Sequence, residues 1–473
     1  MTDKFKKSTH KLFDQISSLG QELNMNLYVV GGYVRDYILG NQVMDIDFVV
    51  VGDAIKFCKT LKKRLRTGSL VTYPRFGTCM LQLHKHKLEF VTARSEIYDT
   101  DSRKPKVQKT DLYTDLGRRD FTINTMAMDI HPEHFGQIID PYNGRKDLAD
   151  GLIRTPLDPE QTFSDDPLRM MRAVRFATQF LFTIDPVAFE AIRRSAKRLK
   201  IISQERITAE FNKILMSEKP STGIELLDKS GLLEQFFPEF KQTQGVEQRK
   251  AYHHKDVFFH TLQVLDRIAE VSDKLELRLV AIFHDIAKPR TKRFNKHTGW
   301  TFHGHEVVGE KMSASILHRL KYSNDTINYV RKLVRLHLRP MALVSEEVTD
   351  SAIRRLLFLA GSEFDDLMLL CRADITSKNP EKVKKYLNNY DIVLLKAEEV
   401  EKKDQLRAFK SPVDGNEIMT LFNLSPGPEV GKFKKIIEEA ILAGDLPNDH
   451  DAAMEYITSF KHKLKTDKSL TNS

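Results

Sequence analysis

The first third of the chain alternates short apolar runs with amphipathic stretches. Apolar residues recur at helical spacing over residues 8–24, which predicts a first helix. Two more helices are predicted at 32–39 and 54–66, the second with Asp53 as its N-cap. Strand-like runs occupy residues 26–31, 45–51, 69–73, 77–83 and 87–93. Strands with intervening helices indicate an α/β or α+β head that ends near residue 155.

Beyond residue 155 the pattern changes, because strand-like alternation nearly vanishes. Residues 166–473 show successive amphipathic helical patterns, with loops at Lys219-Pro220, Pro238, Pro289 and residues 425–428. A polar tail is expected from about Lys461. The sequence therefore predicts an α+β multidomain protein, in which a head with a mixed sheet and helices is followed by helical regions.

Length and composition limit the class of protein. At 473 residues the chain is too long for one core, and its length suggests about three domains. No apolar run approaches the ~18 residues of a membrane span, and the polar N-terminus lacks the apolar stretch of a signal peptide. The three cysteines, Cys58, Cys79 and Cys371, offer neither a disulfide framework nor a Cys-x-x-Cys zinc site. A reducing cytoplasm without a membrane partner is therefore expected.

The net charge of +9 narrows the list of partners only in part. A basic surface attracts nucleic acid through counterion release, but it can equally serve solubility alone. The charge raises the expectation of an RNA or DNA partner without choosing between them.

Two apolar strands near the N-terminus carry the first candidate site. One strand runs into a turn at Gly31-Gly32, and the next carries Asp45 and Asp47. Side chains two apart on a strand point the same way, with Cα atoms about 6.7 Å apart, so these carboxylates can converge on a divalent metal. The glycine backbone can approach a polyphosphate closely. The combination predicts phosphoryl transfer from a nucleoside triphosphate, with two magnesium ions about 3.5–4 Å apart.

Neighbouring residues strengthen this interpretation. Arg35 can meet a phosphate, and Asp36 either orients Arg35 or pairs with it on the surface. Glu89 lies on a later strand and is a candidate third carboxylate, although an ordinary exposed strand residue explains it equally well. Without such neighbours, an Asp-x-Asp motif is typical of a solvated strand edge.

A second motif runs from Leu116 to Asp129. Arg118 and Arg119 supply fixed positive charge for phosphates, and Asp120 and Asn124 are candidates to hydrogen-bond a ribose. The alternative is that Asp120 caps a short helix and Asn124 lies on its surface.

A third motif opens the helical region. Asp166-Pro167 is a helix start, with an acidic N-cap and a proline at the first helical position. Arg169, Arg172 and Arg175 recur at every third residue and spread over roughly 120° of one helix face. A basic, solvated face is the simpler interpretation, but an arginine stripe beside an acidic cap also predicts an edge that recognises bases and binds phosphates.

These three motifs, in this order, resemble class II CCA-adding tRNA nucleotidyltransferases of the DNA polymerase beta superfamily, over about residues 27–245. The resemblance implies that Gly32 and Arg35 contact the triphosphate and that Asp45 and Asp47 hold magnesium. It also implies that the incoming nucleotide is contacted by Arg119, Asp166, Arg169, Arg172 and Arg175. One departure is Asp165, where the family usually has glutamate.

Base selection has a chemical rationale. Cytosine and adenine both present an amino donor beside an unprotonated ring nitrogen, so a carboxylate and a guanidinium can recognise either base. Uracil and guanine invert this pattern and leave buried groups unpaired. We therefore expect Asp166 and Arg169 to select CTP and ATP. The polar segment Arg94–Pro105 resembles the flexible loop with which the family switches from CTP to ATP, and enzymes that add only C lack it.

A different pattern appears after residue 250. Imidazoles and carboxylates occur in the order His260, His284, Asp285, His305, His337 and Asp374. A single histidine of this kind is more often a satisfied core residue, but six such residues predict divalent transition metals, with Asp285 able to bridge two ions. The order resembles the HD phosphohydrolase superfamily over about residues 250–380 and implies phosphodiesterase or phosphatase activity. A decayed, structural version stays open, and His253, His254 and His303 are expected outside the ligand set.

The sequence thus predicts four regions: a nucleotidyltransferase head over 1–155, a helical neck and body over 156–249, an HD domain over 250–380, and a C-terminal helical region over 381–473 that contacts tRNA. The predicted reaction is template-independent addition of C, C and A to the tRNA 3′ end from CTP and ATP. The alternatives are a bacterial poly(A) polymerase and an HD hydrolase whose head only binds RNA. The sequence leaves the oligomeric state open.

Overall fold

The computed structural model of the protein describes residues 2–41, 45–83, 86–99, 102–247, 256–297, 299–345, 349–376, 379–404 and 411–459. The chain divides into two compact units, Met1–Pro238 and Glu239–Ser473. None of the described helices is long and apolar enough to cross a membrane. The four-region division expected from the sequence stays a prediction.

The first unit contains a seven-stranded mixed sheet with the strand order β3-β4-β5-β2-β1-β8-β9. Strands β2 and β5 are parallel, and the other described neighbours in this sheet are antiparallel. A separate antiparallel ribbon consists of β6 and β7. The strands are β1 (Asn26–Val30), β2 (Asp45–Val51), β3 (Ser69–Tyr73), β4 (Thr78–Leu83), β5 (His86–Thr92), β6 (Arg94–Asp99), β7 (Ser102–Lys109), β8 (Ala127–Asp129) and β9 (Ile138–Ile139).

Helices pack on the sheet and then continue as a helical body. Short parallel strands β10 (Leu152–Ile153) and β11 (Thr183–Ile184) lie within this body. The helices of the head are α1 (Thr2–Glu22), α2 (Gly32–Ile38), α3 (Ala54–Leu65), α4 (Leu112–Gly117) and α5 (Gly144–Ala149). Those that follow are α6 (Pro159–Asp165), α7 (Leu168–Phe180), α8 (Pro186–Ser195), α9 (Gln204–Leu215), α10 (Pro220–Lys229), α11 (Leu232–Phe236) and α12 (Pro238–Lys241).

The alternation along β2 fixes which of its residues are available for chemistry. Ile46 and Phe48 are buried, and Phe48 stacks on Phe90 of β5 with ring centroids 4.6 Å apart. Because side chains alternate along a strand, Asp45 and Asp47 point to the opposite face. Burial of the apolar residues therefore sets the register that presents both carboxylates together.

Among its described residues the second unit is mainly helical and contains a small hairpin, in which β12 (Arg293–Asn295) pairs with β13 (Gly299–Thr301). Its helices are α13 (Val257–Val271), α14 (Leu275–Phe283), α15 (Lys288–Thr291), α16 (His305–Arg319), α17 (Asn324–Leu336), α18 (Arg339–Ser345), α19 (Asp350–Ala360), α20 (Phe364–Asp374), α21 (Pro380–Asp404), α22 (Gly415–Phe422) and α23 (Pro428–Ala443). A further helical stretch spans 450–459. The predicted α+β fold class, a sheet-containing head followed by helical regions, is confirmed.

The structure differs from the sequence expectations at the cysteines and at the segment Arg94–Pro105. Cys58 of α3 and Cys79 of β4 form a disulfide, whereas the cysteine spacing predicted no disulfide framework. The pairing follows from packing of α3 on β4, which spacing alone cannot show, and it removes the thiol argument for a reducing compartment. The segment expected as a flexible loop, Arg94–Pro105, contributes to β6 and β7, because a two-stranded ribbon needs no apolar face and leaves no alternation to detect.

Other expectations are met or lie outside the described residues. The side chain of Asp53 accepts a hydrogen bond from the Lys56 backbone N–H at 3.0 Å, so its N-cap role is confirmed. The expected tail from Lys461 lies outside the described residues, as do His253 and His254.

Candidate active sites

Three carboxylates lie on the face of the sheet opposite the buried Ile46 and Phe48. Asp47 lies opposite Glu89 in the parallel β2–β5 pairing, and Asp45 is two residues away on the same face. Burial raises the pKa of Asp47, and the negative charges of Glu89 and Asp45 raise it further, against the opposing charge of Arg119. Closely spaced carboxylates repel one another, and a bound cation would relieve this repulsion. Carboxylate oxygens are also the ligands that hard divalent cations prefer.

The turn between β1 and α2 leaves space above Asp47. Gly31 has a φ of 70°, a conformation that favours glycine. A Cβ atom at this position would lie 3.1 Å from Arg119 Nη1 and 3.9 Å from Asp47 Oδ2. The missing side chain therefore keeps the approach to the carboxylate and to the arginine open.

A cavity of about 550 Å³, called the larger cavity below, adjoins this turn. Asp47 lines it, together with nine of the ten residues expected to bind nucleotide. The nine are Gly31, Gly32, Arg35, Arg119, Asp120, Asn124, Asp166, Arg169 and Arg172. Widely separated motifs thus meet at one place.

A smaller cavity of about 210 Å³ lies on the other side of Asp47. Glu89 lines only this smaller cavity, Asp47 lines both, and Asp45 lines neither. Arg118 and Arg119 also border both cavities. Asp47 is therefore the carboxylate at the junction.

Asp120 organises one side of the larger cavity. It accepts hydrogen bonds from Arg172 Nε at 2.7 Å and from Arg172 Nη2 at 2.5 Å. Asn124 Nδ2 donates to Asp120 at 3.0 Å, and Arg35 Nη1 donates to Asn124 Oδ1 at 2.7 Å. Burial opposes ionisation of Asp120, but Arg172 and Asn124 outweigh it and lower the pKa of Asp120 to about 2. The arginine side chains are held in place by this network.

Asp115, which sequence reasoning did not single out, holds the two adjacent arginines. Arg118 Nη2 lies 2.6 Å and Arg119 Nη2 3.1 Å from its buried carboxylate. Burial raises the pKa of Asp115, yet the two guanidinium groups lower it overall. The available signal was the spacing, because residues three and four apart on a helix face each other.

The start of α7 differs from its prediction. The helix begins at Leu168 with Pro167 at the N-cap, whereas Asp166 was expected to be the N-cap. Asp166 is the C-cap of the preceding helix α6 and has an extended backbone, and its side chain accepts from the Leu168 N–H at 3.2 Å. Arg169 Nη2 donates to the Arg118 carbonyl at 2.5 Å. Asp166 and Arg169 nevertheless both line the larger cavity.

Arg175 does not line the larger cavity. Its guanidinium lies over the Phe176 ring, and its Nε lies 2.6 Å from Glu210 Oε2 on α9. Lys213 also pairs with Glu210 at 3.1 Å. Glu210 and Arg206 line the cavity and were missed by sequence reasoning. The sequence feature that could have identified them is the series Arg206, Glu210 and Lys213, which places charged residues on one face of an amphipathic helix.

Asp165 has a separate environment. Its side chain accepts a hydrogen bond from Gln161 Nε2 at 2.6 Å and does not line the larger cavity. This position, where the resembled family usually has glutamate, therefore supports α6 locally.

The second site, the HD centre, brings six predicted residues together. Asp285 is shared by two groups of possible metal ligands whose atoms lie within 4.8 Å of one another, one with His260 and His284 and the other with His305 and His337. Asp374 Oδ1 lies 2.9 Å from His260 Nε2 and 3.6 Å from His284 Nε2. His303, expected outside the ligand set, belongs to neither group.

The imidazoles of the HD centre are oriented by their second nitrogen. The Nδ1 atoms of His284, His305 and His337 each donate to the backbone carbonyl three residues earlier, at 2.8, 2.8 and 2.6 Å. His260 Nδ1 is 2.9 Å from Thr376 Oγ1. Because a carbonyl only accepts, Nδ1 is protonated in the first three rings, so each ring turns its Nε2 toward the centre, where it can ligate a metal once it carries no proton. His284 Nε2 is buried and lies 3.2 Å from Asp285 Oδ2, so both atoms are placed where a metal ion could bind.

Charge balance in the HD centre depends on Asp285. Burial opposes its ionisation, but His284 and Lys288 hold the pKa of Asp285 well below its usual range, and Lys288 Nζ lies 2.6 Å away. Burial lowers the pKa of His284, but Asp285 and Asp374 outweigh it and raise the pKa to about 10. Burial and His284 lower the pKa of His337 to about 3. The donor set therefore suits a divalent cation, which would replace the extra proton of His284 and balance the charge of the two aspartates.

Family models match the chain in three segments. Residues 27–154 match the model described as the poly A polymerase head domain, and residues 181–243 match the probable RNA and SrmB-binding site of polymerase A. Residues 257–374 match the HD domain. Domains of the first and third kinds use divalent metals.

A multifunctional CCA protein of Cupriavidus metallidurans is 33% identical over 374 residues, which cover 74% of this chain and 84% of the relative. The chain belongs to the CCA-adding tRNA nucleotidyltransferase family. The resemblance drawn from the three motifs is thereby confirmed, as is the presence of an HD domain.

Other members of the family are similar over most of their length. An A-adding tRNA nucleotidyltransferase of Deinococcus radiodurans is 29% identical over 435 residues, with 90% of this chain and 93% of the relative covered. A solved structure of a tRNA nucleotidyltransferase, complexed with a primer tRNA and an incoming ATP analog, is 26% identical with a TM-score of 0.58. The similarity covers 80% of this chain and 99% of that one.

Proposed function

We propose that the chain adds C, C and A in turn to the tRNA 3′ end, using CTP and ATP without a nucleic-acid template. The observation that carries the proposal is the larger cavity, where the Asp47 carboxylate, the Gly31-Gly32 turn and a set of ordered arginines meet. This reaction needs tRNA, CTP and ATP, which fits the cytoplasmic location expected from the sequence.

The carboxylates supply the metal ligands of the head. Asp45 and Asp47 would hold Mg²⁺, with Glu89 as the third carboxylate. Bound there, magnesium would lower the pKa of the tRNA 3′-hydroxyl and neutralise the leaving pyrophosphate. The triphosphate would lie against Gly31, Gly32 and the nearby arginines.

We assign base selection to Asp166 and Arg169, at the start of α7. Asp166 would accept from the amino group of cytosine or adenine while Arg169 donates to the adjacent ring nitrogen. The proposal draws support from the anchoring of Arg169 on the Arg118 carbonyl, which gives its guanidinium a fixed direction. Arg172, Asp120 and Asn124 would position the sugar and phosphates, and Arg175 would act indirectly through Glu210.

The HD centre is proposed to hydrolyse phosphoester bonds. His260, His284, Asp285 and Asp374, with His305 and His337, would hold one or two divalent transition-metal ions. Bound there, the metal would generate a hydroxide near neutral pH. The support for this role is the shared orientation of three imidazoles, each of which turns its Nε2 toward Asp285, where it can ligate a metal.

A narrower activity, addition of the final A alone or of CC alone, is suggested by relatives of each kind that are 29% identical over 90% of this chain. Purified protein should be incubated with tRNA that lacks all three terminal residues and with tRNA that ends in CC, each with CTP, with ATP and with both.

Three added residues on the first tRNA support CCA addition. Incorporation of A into the second tRNA only would establish addition of A alone, and two added residues on the first tRNA would establish addition of CC alone. A long adenylate tail would indicate a poly(A) polymerase, and no incorporation at all would leave an RNA-binding head on a hydrolase. Asp285→Ala should abolish phosphodiesterase activity if the HD centre is catalytic.

A further inference from the structure

A basic segment links two ligands of the HD centre. Between Asp285 and Glu306 the sequence contains five lysines and arginines and no acidic residue. This segment includes the hairpin of β12 and β13, which we call the basic hairpin and define as residues 292–297 and 299–301. In the part of the chain that the structure describes, Arg290, Lys292, Arg293 and Lys296 form no ion pair.

Aromatic rings lie among these charges. Phe294 and Trp300 are cross-strand partners, so their side chains share one face of the hairpin. Their ring centroids are 5.1 Å apart in an edge-to-face arrangement, and the Phe294 side chain is 49% exposed. Lys292 Nζ lies 4.3 Å from the centroid of the Trp300 ring. About half of the Phe294 side chain thus stays open to a ligand, although burying it would help a two-stranded hairpin, which is at best marginally stable.

The stem of the hairpin is joined to the HD centre. Lys288 pairs with Asp285 and lies 5.7 Å from the centroid of Phe302, directly after β13. The Phe302 carbonyl accepts from His305 Nδ1 at 2.8 Å. A ligand that rests on the hairpin therefore lies on the segment that orients two residues of the centre.

Positive charge interleaved with exposed aromatic rings is the pattern by which proteins bind unpaired nucleic acid. Phosphates contact the cations, and unpaired bases stack on the rings regardless of sequence. A duplex hides its bases, and the carboxylates of an acidic peptide are not attracted to the negative face of an aromatic ring, so neither uses the rings. We infer that the basic hairpin binds unpaired RNA and delivers a phosphorylated RNA end to the HD centre. Delivery rests on the hydrolase function proposed above, whereas binding does not.

The chain offers an internal probe, because Trp300 is its only tryptophan. The full chain in EDTA should be titrated with unpaired RNA hexamers, with an RNA duplex of six base pairs and with an oligoglutamate peptide, while the Trp300 fluorescence is recorded. We expect saturable quenching by the hexamers that weakens as salt increases, and little change with the duplex or the peptide.

Two variants separate stacking from charge. Phe294→Leu keeps Trp300 and should weaken hexamer binding about fivefold or more. Arg293→Gln with Lys296→Gln should weaken binding and reduce the slope of log affinity against log salt by about 1.4. The matched control, Lys62→Gln with Lys63→Gln, removes two exposed lysines of α3, outside the region expected to contact tRNA, and should leave both quantities unchanged. Thermal melting of each variant checks that it is folded.

Delivery is tested with metal present. The Arg293/Lys296 variant should raise KM for a 3′-phosphorylated hexamer and leave hydrolysis of p-nitrophenyl phosphate unchanged. Absent quenching, equal quenching by the duplex or the peptide, or an equal loss in the α3 control would overturn the inference. Quenching in EDTA by a chain that hydrolyses neither substrate would support RNA binding and refute only the hydrolase proposal.

Discussion

Asp120 shows how one residue prepares the larger cavity. Its buried carboxylate holds Arg172 directly and holds Arg35 through Asn124. Long arginine side chains lose conformational freedom when they bind a ligand, so ordering them beforehand reduces the cost of binding. The head therefore meets its nucleotide with part of its positive charge already in position.

Asp120→Asn should destabilise the protein in a pH-dependent way. The folded-state pKa of Asp120 is about 2, below its ordinary value of 3.8. The stabilisation, about 2 kcal/mol, is fully present above the ordinary pKa and is lost as the pH falls through the folded value. Urea unfolding should show the full difference between variant and wild type at pH 7 and 5, and a shrinking difference below pH 4.

The control for this prediction is Asp150→Asn, a change at an exposed residue of the same unit that should have little effect. A difference for Asp120→Asn that is absent at pH 7, or that does not shrink below pH 4, would contradict this role of Asp120.

At the residue scale, local rules could predict some features and not others. The orientation of Asp45 and Asp47 follows from strand alternation, and the N-cap role of Asp53 follows from local hydrogen bonding. The roles of Asp115 and Glu210 depend on which elements pack together, which no local rule contains. The same limit explains why the disulfide was not predicted.

At the scale of elements, α7 serves two purposes on different faces. Arg169 and Arg172 line the larger cavity, whereas Arg175 turns away and joins α7 to α9 through Glu210. Spacing of three residues made the arginines look equivalent in the sequence. The fixed rotation of about 100° per residue separates them once a partner helix is present.

Glu210→Gln should therefore destabilise the first unit more than loss of a surface ion pair. Arg175 and Glu210 have side chains that are only 11% and 6% exposed, so the change leaves a buried guanidinium without its countercharge. The expected loss in the free energy of unfolding is about 3 kcal/mol. Glu225→Gln, which breaks an exposed pair with Lys229, should cost less than about 1 kcal/mol.

Chemical denaturation of both variants checks this prediction. Equal losses for Glu210→Gln and Glu225→Gln would show that the buried pair does not hold α7 to α9.

Element prediction succeeded where an apolar face is buried. Strands β1 to β5 and the amphipathic helices have such a face, so their periodicity is visible, whereas the sheet strands β8 and β9, of three and two residues, were too short to predict. The ribbon of β6 and β7 and the basic hairpin were not predicted as strands, because two-stranded ribbons leave both faces without a continuous apolar row. The N-cap of α7 was predicted one residue too early, because Asp166 is the C-cap of α6 and Pro167 is the N-cap of α7.

At the scale of the whole molecule, each compact unit contains its own set of metal-binding donors. The carboxylates around Asp47 belong to Met1–Pro238, and the HD centre belongs to Glu239–Ser473. The order of motifs along the chain predicted both sites, because each motif set is contiguous within its own segment. The sequence did not predict the detailed contacts within either site.

The two activities should accordingly be separable by single substitutions. Asp285→Ala should abolish phosphohydrolase activity and leave nucleotide incorporation into tRNA within about twofold of wild type, whereas Asp47→Asn should have the opposite effect. Parallel assays of both reactions on both variants check this expectation. Loss of both activities in either variant, with its melting temperature unchanged, would show that the centres act as one.

The most direct test of the account is the rate of CMP incorporation into tRNA lacking its three terminal residues, measured for Asp45→Asn, Asp47→Asn and the control Asp150→Asn. If the two β2 carboxylates hold the catalytic magnesium, the first two variants lose incorporation by at least about 100-fold while the control retains it. Wild-type rates in either β2 variant would contradict the account.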